Sequence, residues 1–93
     1  MKSDQQADIL RRLQCAAGHL NAVIKMTEAG QPCELVLYQL NAVEAALRAV
    51  VVRMIQNQAY SSQDVIVNSD SEIQRTTELQ RLQSLYSIFL KYS

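Results

Sequence analysis

The sequence predicts an all-α protomer of three helices, built around one long apolar helix that begins at Pro32-Cys33. The chain carries only two Gly and one Pro in 93 residues, beside many Leu, Ala, Gln, Glu and Arg, so helix is favoured almost everywhere. Apolar residues recur at helical spacing in three segments separated by polar links. Between Ala45 and Ile55 the residues Leu47, Val50, Val51, Val52, Met54 and Ile55 cover nearly the whole circumference of one helix. A helix apolar all round is buried all round, and two sister helices cannot cover it, so a second copy of the chain must.

The first helix is expected over about residues 4–29. Ser3 can cap it, Asp4 suits the first turn, and Gly30 is a good residue just past its end. Leu13, Ala17, Leu20 and Ile24 form its apolar stripe, Ile9 extends that stripe, and Gly18 would allow a close helix contact. The second helix is expected over about 32–60, with Pro32 at its first position, where the missing N–H costs nothing. That is a rod of roughly 43 Å, with Val36, Leu40, Val43 and Leu47 on one side of its first half. Residues 61–70, SSQDVIVNSD, read as a loop. The third helix, about 70–91, opens at Ser69 or Ser71; Ser69 with Glu72 makes a capping-box pattern. Its stripe is Ile73, Leu79, Leu82, Leu85, Tyr86 and Phe89. The 93 residues are expected to form a single helical domain, too small to bury a large core alone.

Nine basic and nine acidic residues give zero formal charge. This weakens the case for non-specific nucleic-acid attraction, which needs an excess of cations, yet an oligomer can still gather its basic residues on one face. The N-terminal MKSDQQADILRR lacks a signal-peptide pattern, and unbroken apolar runs stop at Arg48 and Arg53. The expectation is a cytoplasmic protein with no membrane partner. Its two cysteines, Cys15 and Cys33, are then reduced.

No nucleophile–base pairing, phosphate-binding glycine loop or HExxH motif is present, so an enzyme is not expected. Cys33 falls in the first turn of the long helix, where peptide dipoles favour a thiolate able to bind a soft metal or meet an electrophile. The alternative is a small buried hydrophobe, as most free cysteines are. Cys15 and His19 share a face of the first helix, but two ligands do not make a metal site, and a hydrogen-bonded structural His19 is the better reading. Arg11, Arg12 and Lys25 on the first helix are candidate phosphate contacts or a solvated flank; Arg48 and Arg53 are the cations of the second.

The run from Arg12 to Met26, RLQCAAGHLNAVIKM, resembles the first-helix signature of the copper-sensitive operon repressor (CsoR/RcnR/FrmR) family, as does Cys33 to Val43, CELVLYQLNAV, for the second. The resemblance spans about residues 5–60 and keeps the family's separation between motifs. It implies a three-helix protomer that pairs as an antiparallel four-helix bundle and doubles to a homotetramer. It also implies a repressor of an efflux or detoxification operon that binds duplex operator DNA and releases it when an inducer occupies the protomer interface. The implied inducer site uses the Cys at the head of the second helix, here Cys33, with ligands 25 and 29 residues on supplied by the facing protomer. Those positions hold Gln58 and Ser62, neither a soft-metal ligand of consequence. A soft metal ion at Cys33 therefore lacks its usual partners. What survives is single-thiol chemistry at Cys33, or a pairing with an amine such as that of Met1 or Lys2. Arg12 and Lys25 match basic positions of the family, Arg12 on its DNA surface. Further basic residues often found near the positions of Gln14, Cys15, Ala17 and Asn21 are missing. The competing reading is a member that has lost sensing or DNA binding and serves as a helical oligomer or partner subunit.

Overall fold

A computed structural model describes residues 3–91 as three α-helices with no strand among them. Helix α1 is Ser3–Glu28, α2 is Cys33–Asn68 and α3 is Glu72–Leu90. Ser3, expected as a cap, is already helical. At the other end of α1 the expected glycine stop is built in full. Gly30 takes φ 69°, its N–H reaches the Thr27 carbonyl (3.1 Å) and that of Gln31 reaches Met26 (3.1 Å). This double bond pattern needs a left-handed residue, which only glycine adopts without cost.

The long helix differs from expectation at both ends. Pro32 is extended (φ −53°, ψ 139°) and caps α2 from outside, its carbonyl accepting from Leu35 and Val36 (3.0 and 3.2 Å). At the far end α2 runs on to Asn68, so residues 61–68, expected as loop, are helical. Their composition is polar, as a link's would be, but Gln58, Ser62, Val65 and Ile66 continue one buried or half-buried face at helical spacing. Tertiary burial of that face outweighs weak propensity. Ser61 donates back to the Asn57 carbonyl (3.3 Å) and Asn68 to Asp64 one turn earlier (2.9 Å). The cap of α3 is Ser71, whose Oγ accepts from the Gln74 N–H (3.2 Å); the Ser69–Glu72 box is not the one used. Ser69 instead braces the turn, its carbonyl accepting from Arg75 (2.7 Å).

Both α1 and α3 pack on α2, and they do not touch one another. Contacts such as Asp8–Arg53 and His19–Gln39 lay α1 antiparallel along the first part of α2, and Ser62–Glu78 lays α3 along the last. The chain is therefore mostly a two-helix ladder, 60 × 26 × 13 Å. Its radius of gyration is 17.9 Å, against about 12 Å for a compact chain of this length. Its accessible surface is 6949 Å², against roughly 5,400 Å² for a compact monomer of its mass.

The seam between α1 and α2 is narrow. Ile9, Ala16 and Val23 meet Val43 and Val50, each set at seven-residue spacing. Half-buried Arg12, His19 and Met26 fill the alternate positions of α1, giving the 3–4 rhythm of a coiled-coil seam. The expected stripe of α1 is thus only partly the one that packs. Ile9 is in the seam, whereas Leu13, Ala17, Leu20 and Ile24 lie one step round the helix and are exposed. On α2, Leu35, Leu37, Leu47 and Met54 are exposed as well. Gly18 has nothing within 4 Å of where a Cβ would stand, so no close contact within the protomer uses it. The most apolar 18 residues of α2 have mean hydropathy 1.5, with 11% of them buried. By length and composition alone, α2 is long and apolar enough to cross a membrane, a test that the core helix of a helical bundle also passes.

Candidate functional site

Cys33 opens α2 immediately after the extended Pro32 and is exposed, so it is not a buried hydrophobe in this chain. Cys15 is exposed too, and both thiols are free. Cys15 lines a cavity of about 260 Å³ with Arg11, Arg12, His19 and the small side chains of Ala46 and Ala49. His19 is spoken for: its ring Nε2 donates to Gln39 Oε1 across the α1–α2 seam (2.7 Å). That explains a half-buried histidine without a metal.

The two residues that would have to complete an inducer site with Cys33 belong to a different structure. Gln58 Nε2 donates to Ser62 Oγ (3.2 Å), and Ser62 Oγ donates to Glu78 Oε2 on α3 (2.7 Å). Ser62 is fully buried at 0% exposure, and Arg81 stands 3.9 Å from the other oxygen of Glu78. This chain of hydrogen bonds fastens α3 to the end of α2. Glu78 is the member that the sequence does not point to, because the stretch holding Ser62 has the composition of a loop and offers no apolar face to pair with. Twenty-nine residues of straight helix separate Cys33 from Ser62, roughly 43 Å, so the two do not meet within one protomer. Among the described residues no three His, Cys, Asp or Glu side chains are grouped to hold a metal. A neutral amide and a hydroxyl already engaged with Glu78 do not fit a soft ion. Met1 and Lys2, the amine candidates, lie outside the described residues.

The basic residues sort differently from the sequence expectation. Asp8 draws three of them together: Arg11 at 2.6 Å, Arg12 at 3.1 Å and, from α2, Arg53 at 3.4 Å. Arg48 joins Arg12 and Arg53 around a groove of about 440 Å³ whose floor is Ala45, Ala49 and Val52. Arg11 and Arg12 are therefore brought into one cluster. Lys25 is not, for it sits in the last turn of α1, about 20 Å along the helix from Arg12. Arg48 and Arg53 are the additions that sequence alone did not assign. They become visible only once the antiparallel register sets Ile9 against the far part of α2. Four guanidiniums against one carboxylate leave a local surplus of positive charge on a chain of zero net charge.

A family model described as metal-sensitive transcriptional repressor matches residues 5–89. No protein of curated function and no solved structure matches the chain. The matched family is one of transcriptional regulators and not a class of enzymes. The match runs through all three helices, the thiol at the head of α2 and the arginine cluster, and by it the chain belongs to the metal-sensitive transcriptional repressor family, of the CsoR/RcnR type.

Proposed function

We propose that this protein is a cytoplasmic DNA-binding repressor that assembles as an antiparallel dimer and then a homotetramer, and that its inducer is a thiol-reactive small molecule acting at Cys33. The observation that carries the DNA reading is the cluster of Arg11, Arg12, Arg48 and Arg53, a concentrated cationic face on an otherwise neutral chain. Such a face supplies the phosphate contacts and counterion release that duplex binding needs. Lys25 would contribute a separate, outlying contact.

Assembly is supported by the apolar faces that the ladder leaves open, and the surface in excess of a compact monomer, roughly 1,500 Å², is about twice what one partner buries in a standard protein interface. A second copy is a better cover for α2 than lipid, since Glu44, Arg48 and Arg53 punctuate its middle and each would be costly at bilayer depth. Antiparallel pairing of α2 with its copy would bring Cys33 of one protomer towards Gln58 and Ser62 of the other. The family's description suggests a metal as inducer. Gln58 and Ser62 offer a soft metal at Cys33 nothing to complete its coordination, which is why the reading turns to the thiol alone.

The test is binding to duplex DNA from upstream of its own coding sequence, followed by anisotropy before and after alkylation with iodoacetamide. The expected result is salt-dependent binding that weakens on alkylation in the native chain and is unaffected in Cys33→Ala. Loss of binding on alkylation in Cys33→Ala as well would move the sensor to Cys15. The reading of a member that no longer senses draws on the engagement of Ser62 and Gln58 with α3, and binding indifferent to every thiol reagent would favour it. Copper(I) or zinc uptake tighter than micromolar would restore the metal reading.

A further inference from the structure

We propose that Asp8 is a built-in competitor for DNA phosphate, holding the arginines of the cluster in the free protein and surrendering them when a phosphodiester docks. The proposal rests on the reading of this cluster as the DNA-binding face and concerns how strongly that face can grip.

The geometry is that of a carboxylate used as a phosphate would be. Oδ1 of Asp8 accepts from Arg11 Nη2 (2.6 Å) and Arg12 Nε (3.3 Å), and Oδ2 accepts from Arg12 Nε (3.1 Å) with Arg53 Nε at 3.4 Å. Two oxygens of one charge thus face three guanidiniums from two helices. A phosphodiester presents the same charge on two non-bridging oxygens, and guanidinium binds both anions through the same fork. Asp8 keeps 22% of its side chain exposed, while Arg11, Arg12 and Arg53 keep 70%, 39% and 46%. The cations are therefore open to an incoming anion that approaches from solvent, and the carboxylate lies beneath them. Arg48 makes no ion pair among the described residues and marks the unguarded side of the groove.

Two roles for Asp8 predict opposite signs. If the carboxylate competes, removing its charge frees guanidiniums and DNA binds more tightly. If it serves to fix the arginines in a productive fan, removing its charge lets them disperse and DNA binds more weakly. Competition is favoured because these contacts are part-exposed ion pairs, each worth little in free energy, whereas the charge they cancel counts in full towards counterion release.

The experiment compares the native chain, Asp8→Asn and Asp4→Asn on the upstream duplex and on an unrelated duplex of equal length, over a range of salt. Asp4→Asn removes the same charge one turn earlier, at a residue that holds no arginine. Circular dichroism and gel filtration verify fold and assembly, and Asp8→Ala provides a second neutral side chain of which the same sign is expected. Asp8→Asn should bind both duplexes roughly three- to tenfold more tightly, with a log–log salt slope steeper by about 0.9 per protomer engaged. Asp4→Asn should change affinity less than about twofold at about 0.15 M salt, because Asp4 pairs with none of the arginines and lies about a Debye length from them. Equal tightening by Asp4→Asn overturns the proposal in favour of a general charge effect. Native binding that Asp8→Asn leaves unchanged or weakens overturns the proposal and leaves the DNA-binding reading intact. Failure of all variants to bind at low salt overturns both, and binding by Asp8→Asn alone would support both.

Discussion

Removing the hydroxyl of Ser62 tests the join between the long helix and the last one. Ser62→Ala deletes a donor 2.7 Å from a Glu78 carboxylate oxygen and an acceptor 3.2 Å from the Gln58 amide, at a site with 0% exposure. A hydrogen bond to a charged group contributes about 1.5–3 kcal/mol. Glu78 keeps 16% of its side chain exposed and Arg81 at 3.9 Å, so water and that guanidinium replace part of the loss, leaving about 2 kcal/mol. Alanine is the better helix former by about 0.5 kcal/mol, which brings the expected net loss to roughly 1.5 kcal/mol. For a chain of this size that is a fall in Tm of about 6–12 °C. Thermal and urea melts are compared at one chain concentration, because the proposed assembly would make the midpoint concentration-dependent. Glu78→Gln retains an acceptor and should lose less than Ser62→Ala, and the double variant should show coupling of about 1 kcal/mol or more. A Ser62→Ala loss below about 0.5 kcal/mol, or additive losses in the cycle, would refute the view that this bond holds α3 to α2.

Gly30→Ala should cost about 1–2 kcal/mol by chemical denaturation, wholly from backbone strain at φ 69°, since an added Cβ meets nothing within 4 Å. Leu20→Glu, on the exposed face of α1, should shift the sedimenting species towards a monomer without loss of helicity within that helix; an unchanged assembly would mean that another surface pairs. Gln58→His combined with Ser62→Cys should confer tight copper(I) binding that Cys33→Ala abolishes, measured by competition with a chelator. Uptake independent of Cys33 would show that the head of one α2 does not meet the tail of another.

Much of the fold was legible because it is written in breakers and periodicity. Gly30 and Pro32 bracket the first turn of the chain, and the apolar run around Val50 marks the helix that everything else leans on. What was not legible depended on partners. Residues 61–68 look like a loop when judged alone, since Ser61, Ser62, Asp64 and Asn68 are poor helix formers. They are helical because Ser62 is buried against Glu78, a residue sixteen positions away that no local pattern points to. The stripe of α1 misled for a related reason. Leu13, Leu20 and Ile24 are more apolar than the Arg12, His19 and Met26 that pack within the protomer, and hydrophobicity alone ranks the faces in the wrong order for one chain. At the candidate site, Cys33, Arg11 and Arg12 were findable from type and position, but the company of Arg53, Arg48 and Asp8 required the antiparallel register.

Under the proposed mechanism, chemistry at Cys33 has to reach arginines it does not touch. Arg48 and Arg53 lie fifteen and twenty residues further along α2, roughly 22 and 30 Å by helix rise. A local change therefore acts on the DNA face only by biasing two arrangements of packed helices that differ in how the arginines are presented. The α1–α2 seam is suited to be that element. Its apolar part is small, Ile9, Ala16 and Val23 on Val43 and Val50, and polar clasps lie along it: His19 to Gln39, and Asp8 to Arg53 further on. A large interlocking core would resist a shift of register or angle, whereas a narrow seam of small aliphatic side chains and one Ile, interrupted by polar clasps, gives up little when it moves. Gln39 lies less than two turns from Cys33, so an adduct that displaces the head of α2 meets the His19 clasp first. The Asp8–Arg53 clasp at the other end then decides how many guanidiniums face the duplex. On this account His19→Ala should alter DNA affinity and its response to alkylation together, although His19 contacts neither the thiol nor the arginine cluster's carboxylate.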